Sequence, residues 1–157
     1  MSKKQKNIQD LLNFIDRSPT PFHAVEEMKN LLILKGFSEL KETNSWELTP
    51  NGRYFLTRNG SSLIAFMVGM KPQDPSGFKI IGAHTDSPNL KLKPNAAYEK
   101  NGYLQLGIEV YGGVLLSTWT DRDLSLAGRV IIKAKKQPLA KLIRFDDVLL
   151  RIPQLAI

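Results

Sequence analysis

The stretch Phe78-Lys79-Ile80-Ile81-Gly82-Ala83 runs directly into His84-Thr85-Asp86-Ser87-Pro88. A short apolar run that ends on a polar loop predicts a buried strand, and a strand buried on both faces belongs in a layered α/β sheet. Open sheets of that kind carry their chemistry just beyond the carboxyl ends of their strands. Side chains two apart on extended backbone point to the same side, so His84 and Asp86 can cooperate. The imidazole would hold a metal and the carboxylate would fix its tautomer. His-x-Asp is short enough to recur by chance, and a hydrogen-bonded loop histidine is the plainer reading of the spacing by itself. Context adds weight, because His84 is one of only two histidines and Pro88 stiffens the exit from the turn.

Upstream of this run the sequence is helical, then β-forming. Ile8, Leu11, Leu12 and Ile15 recur at helical spacing and predict an amphipathic helix over residues 5–17. Ser18-Pro19 ends it. Thr20 is a candidate N-cap with Pro21 at the first helical position, and Gly36 suits a left-handed cap after a second helix reaching about residue 35. His23 falls in the first turn of that helix, where packing, capping, or contact with substrate or a partner subunit are all open. Residues 53–57 and 62–69 are rich in β-formers and flank Asn59-Gly60, a hairpin signal, and residues 71–77 read as a loop. Helices followed by such strands predict an α/β catalytic layer over residues 1–94.

Beyond Pro94 the texture changes. Residues 103–110, 114–118, 129–134 and 141–145 read as strands, with turn material at Asn101-Gly102 and Gly112-Gly113, and no helical period appears. Residues 95–157 therefore read as the start of a second, mostly β domain.

Composition narrows the chemistry. The chain has no cysteine, which fits a reducing compartment and leaves histidine and carboxylate as the only strong metal ligands. The basic start, Met1 to Lys6, is followed by polar Asn7 to Asp10 rather than the apolar stretch of a signal peptide. The nearly apolar run 63–70 is too short to cross a bilayer. The expectation is a cytoplasmic protein with no membrane partner. Net charge is +7, but outside the N-terminus only Lys133, Lys135 and Lys136 cluster, so a solvated face is favoured over nucleic-acid binding.

The string Gly82-Ala83-His84-Thr85-Asp86-Ser87-Pro88-Asn89-Leu90-Lys91-Leu92-Lys93-Pro94 closely resembles the metal-binding segment of the aspartyl aminopeptidase and aminopeptidase I family of zinc peptidases. Ser18-Pro19-Thr20-Pro21-Phe22-His23-Ala24-Val25 is similar to that family's N-terminal signature. Tyr111-Gly112-Gly113 followed by Trp119-Thr120-Asp121-Arg122-Asp123-Leu124-Ser125-Leu126-Ala127-Gly128-Arg129-Val130 resembles a third block, and residues 151–157 a fourth. The resemblance implies a catalytic α/β domain interrupted by an inserted, β-rich dimerisation domain. It also implies a site with two zinc ions, a bridging carboxylate and a glutamate general base, in which the metals polarise the scissile carbonyl and lower the pKa of the attacking water.

Residue by residue, the resemblance carries over His84 as a zinc ligand and Asp86 as the catalytic carboxylate that orients it. The family's bridging Asp, its Glu residues and its other ligands fall after the inserted domain, beyond Ile157, and a histidine given a metal role in some members would directly follow Leu155-Ala156-Ile157. One histidine cannot hold a catalytic zinc. The chain is therefore expected to be an N-terminal fragment, inactive in isolation. Asp121 and Asp123 fall in the inserted domain, where Arg122 is expected to be ion-paired between them. Ser117 stands where some aspartyl aminopeptidases have a histidine that reaches the neighbour's substrate, which weighs against strict preference for acidic N-terminal residues. The function expected is a metalloaminopeptidase fragment acting on peptides and self-associating through its β region. Two alternatives stay open: a related co-catalytic zinc hydrolase, such as a carboxypeptidase or deacylase, and a non-enzymatic assembly module.

Overall fold

The computed structural model describes residues 2–70, 77–135 and 137–154. The chain divides into two compact units: the residues up to Thr85 with Ala127–Arg144, and Asp86–Leu126 with the residues from Phe145 onward. Contact thus groups residues differently from a single cut at Pro94, because one later hairpin returns to the first unit. The fold is mixed α/β.

The first unit opens with α1, Lys3–Arg17, whose start is set by a capping box. The Ser2 hydroxyl accepts from the Gln5 N–H at 3.3 Å, and Gln5 Oε1 accepts from the Ser2 N–H at 2.8 Å. This reciprocal pair begins the helix two residues before the expected start at residue 5. The second helix, α2, is Pro21–Leu34, with Thr20 at its N-cap and Pro21 at its first position, as expected. Gly36 takes φ +77° and ends it, while Phe37 N–H returns to the Leu32 carbonyl at 3.0 Å.

Three strands follow in the order β1-β2-β3: β1 is Ser38–Glu39, β2 Arg53–Arg58 and β3 Ser62–Met67. Strand β2 pairs parallel with β1 and antiparallel with β3, and the expected Asn59-Gly60 turn, with φ of 54° and 64°, joins the latter two. Tyr54, Phe55 and Leu56 are all buried, as a central strand covered on both faces must be. Ala24 and Val25 of α2 complete this core, and Phe55 is 0% exposed. Helix α2 also packs against β6, Ala127–Ile132, which forms an antiparallel hairpin with β7, Leu139–Arg144. Arg129 ties that hairpin to the unit: its Nη1 donates to the Asn59 carbonyl at 2.6 Å, and its guanidinium lies 4.0 Å from the centre of the Phe22 ring.

The second unit is built on a long hairpin of β4, Asn89–Lys100, and β5, Tyr103–Tyr111. Asn101 and Gly102 join them with φ of 54° and 77°, the left-handed pair that a two-residue turn of this twist requires. The ladder breaks between Leu92 and Ala97, where Pro94 lacks an N–H and Asn95 takes φ 54°. Leu124 bridges to Leu150, bringing the chain after β7 alongside the segment that precedes β6.

Two expectations are corrected. Residues 77–88, expected to include the strand that delivers His84, carry no regular secondary structure; Phe78, Ile80 and Ile81 are 94%, 86% and 100% exposed. Apolar composition supplies a face to bury, but a strand also needs a ladder, and no described strand pairs with this one. Residues 114–118, also expected as a strand, hold instead a single 3-10 turn, Leu116–Thr118, closed by the Thr118 N–H and hydroxyl on the Leu115 carbonyl at 2.9 and 2.7 Å. Strand β4 was not anticipated, because Pro94 interrupts the alternation that would reveal it. Residues 71–76, most of the stretch expected to be a loop, lie outside the described residues, as do Lys136 and residues 155–157.

Since Phe55 is the one large side chain shut off completely from solvent among the described residues, Phe55→Ala should cost about 3 kcal/mol or more. Urea unfolding of the two proteins measures the difference.

Candidate active site

The two residues singled out by sequence fall on either side of the division between units: His84 belongs to the first and Asp86 to the second. His84 is exposed, and Asp86 is half-buried. Between them Thr85 fastens the segment to the first unit, its hydroxyl donating to the Ser61 carbonyl at 2.8 Å beside the β2–β3 turn.

Asp86 is held by a residue that sequence reasoning placed in a motif but gave no role. The Tyr111 hydroxyl donates to Asp86 Oδ2 at 2.6 Å. The hydrogen bond, and secondarily the carboxylate's charge, stabilise the protonated phenol and push its pKa above the usual tyrosine value. Tyr111 ends β5 directly opposite Asn89, the first residue of β4, so the ladder sets its distance from Asp86 three residues upstream. Two contacts refine the arrangement. Lys91 Nζ sits 3.4 Å from the centre of the Tyr111 ring, and Gly112, with φ +68°, brings the backbone against Pro88, where an added Cβ would lie 3.5 Å from the proline ring. The Asn89 side chain donates to the Ser87 carbonyl at 2.9 Å and closes the turn.

A catalytic zinc takes three protein ligands. Among the described residues no group of three or more His, Cys, Asp or Glu converges, so this chain's own donors do not fit a complete metal site. His84 and Asp86 have the chemistry of a ligand and its orienting carboxylate, but they are too few.

The remaining candidates make contacts of their own. His23 stands at the start of α2, with Nδ1 2.7 Å from the Thr20 hydroxyl. Burial, and then the positive charge of Arg144, lower its pKa below the ordinary histidine value. In the Asp121-Arg122-Asp123 block the expected ion pairing is corrected: Arg122 donates to the Thr118 carbonyl at 3.1 Å, whereas Asp123 pairs with Arg151 at 3.5 Å. Arg151 also donates to the Asp121 carbonyl at 3.0 Å, and Asp121 Oδ1 accepts from the Gln154 N–H at 3.1 Å. This clasp ties the end of the described chain to the third motif. No described helix is long and apolar enough to cross a membrane.

The model of the aminopeptidase I zinc metalloprotease family, M18, matches residues 14–157. The chain belongs to this family. A probable M18 family aminopeptidase 2 from Clostridium acetobutylicum is 50% identical over 160 residues, covering 100% of this chain and 37% of the relative. The aspartyl aminopeptidase of Dictyostelium discoideum is 48% identical over 150 residues, covering 95% of this chain and 31% of its own length. The solved S. cerevisiae mApe1 dodecamer superposes with a TM-score of 0.89 at 31% identity, over 98% of this chain and 37% of that one. The M18 family is the one the sequence blocks resemble. The chain spans about a third of the length of the curated relatives it matches.

The depressed His23 pKa gives a signed pH dependence. The folded state disfavours the imidazolium, so its contribution is fully present above the unfolded value of about 6.5 and is lost as pH falls through the folded one. His23→Gln should remove that part of the slope, so that its urea midpoint falls less than the wild type's between pH 8 and pH 5.

Proposed function

We propose that this chain is the N-terminal part of a zinc-dependent aminopeptidase, with His84 as one metal ligand and Asp86 as the carboxylate that orients it. The observation carrying the proposal is a family match over residues 14–157, a range that includes the His84-Thr85-Asp86 segment. Asp86 already has one of its oxygens fixed by Tyr111, which suits a group whose task is to hold an imidazole in one tautomer. The other ligands would come from the part of the family protein outside these residues. Residues 1–94 then belong to the catalytic domain, and residues 95–157 begin the β-rich dimerisation domain.

The substrate would be the N-terminal residue of a peptide, with acidic residues the first class to try because a 48% identical relative is an aspartyl aminopeptidase. Ser117 argues for testing neutral residues beside them. Self-association is supported by the exposed Tyr98, Tyr103 and Leu104 of the β4–β5 hairpin and by the dodecameric state of a relative. Light scattering of this chain across a wide concentration range should show association through residues 98–145; a monomer throughout would count against that role. A cytoplasmic location belongs to the same proposal.

With too few donors, the 157-residue chain should bind zinc only weakly in isothermal titration and should not turn over aminoacyl nitroanilides. In the longer family protein containing it, His84→Ala should abolish most of the activity, and Asp86→Asn should keep the fold while losing about ten- to a hundredfold in metal affinity or rate. Unchanged turnover in both variants would refute the assignment.

A further inference from the structure

We propose that Tyr111 is a positioning residue for Asp86, its phenol O–H fixing the plane of the carboxylate; this rests on the reading of Asp86 given above. The terminal torsion of an aspartate is broad and roughly two-fold, so a carboxylate on a loop before a strand has no preferred direction of its own. A donor 2.6 Å from Oδ2 removes that freedom, provided the donor itself cannot move. Tyr111 meets the condition in three ways. Its backbone is paired with Asn89 in the β4–β5 ladder. Its ring carries the Lys91 ammonium at 3.4 Å, which holds the ring by cation–π attraction and draws electron density from it, making the hydroxyl a better donor. Its neighbour Gly112 packs against Pro88, two residues from Asp86. A carboxylate has about four acceptor sites, and the phenol takes one of them, which is enough to fix the carboxylate plane.

The role concerns orientation, so its loss should appear in turnover and in metal retention rather than in substrate binding. The test uses the longer, zinc-loaded family protein containing this chain, with Tyr111→Phe, Asp86→Asn and the double variant. The measured quantities are kcat and KM on an aminoacyl nitroanilide and zinc retention at equilibrium against a competing chelator. Tyr111→Phe keeps the ring and removes only the hydroxyl. It should lower kcat about tenfold with KM within about twofold, and weaken zinc retention about tenfold. Added to Asp86→Asn, it should change neither quantity further, because the two residues act as one unit. Wild-type values for Tyr111→Phe, or a full effect that persists in the Asp86→Asn background, would overturn the proposal. If Asp86→Asn is itself harmless, the reading of Asp86 fails and this role fails with it; if Asp86→Asn is impaired while Tyr111→Phe is not, the Tyr111 role alone fails. Should Tyr111→Phe not fold, Lys91→Met takes its place. A loss of about threefold in the same two quantities, absent in the Asp86→Asn background, then supports the role, and unchanged values overturn it.

Discussion

A strand exists only where its N–H and C=O groups find partners, and this requirement governs which parts of the chain are ordered into sheet. The antiparallel pairs β2–β3, β4–β5 and β6–β7 each join strands that are consecutive and close in sequence, and the parallel β1–β2 contact also joins neighbours in sequence. Local closure makes such pairs inexpensive in loop entropy. The apolar run before His84 has no adjacent strand of that kind. Phe78, Ile80 and Ile81 are the residues that a second layer would cover, and among the described residues nothing covers them.

The same distinction separates what could be read in the sequence from what could not. Both helices were legible because their signals are local: Thr20-Pro21 at one end of α2, Gly36 at the other, and the Ile8-Leu11-Leu12-Ile15 stripe on α1. Asn59-Gly60 and Asn101-Gly102 marked their turns for the same reason, since positive φ at two successive residues narrows the choice of amino acid sharply. Residues 114–118 misled because their strand-favouring side chains are outweighed by a local closure, the Thr118 N–H and hydroxyl both returning to the Leu115 carbonyl. The run 78–83 misled because composition reports the wish to be buried, and pairing is a property of some other segment.

The candidate site divides in a similar way. His84 and Asp86 were visible through a spacing of two, which depends on nothing beyond the residue between them. Tyr111 was not, since its contact with Asp86 spans 25 residues and depends on the register of a hairpin. The Asp123 pair shows the same effect: Arg122 is the neighbour in sequence, but Arg151 is the one that arrives in space.

That register turns on the irregularity between Leu92 and Ala97. Continuing the pairing of Ala97 with Leu106 without interruption would set Tyr111 against Leu92; the break sets it against Asn89, three residues closer to Asp86. An odd shift also exchanges the two faces of a strand. Residues 93–96, with Pro94 and Asn95 among them and Gly107 opposite, therefore act as a spacer whose length decides which side of the hairpin meets the loop carrying the carboxylate. A change of one residue in that stretch would be felt at Asp86, while the turn at Asn101-Gly102 would close as before. The fine alignment of the candidate site is thus encoded by the length of a segment that touches none of its chemistry.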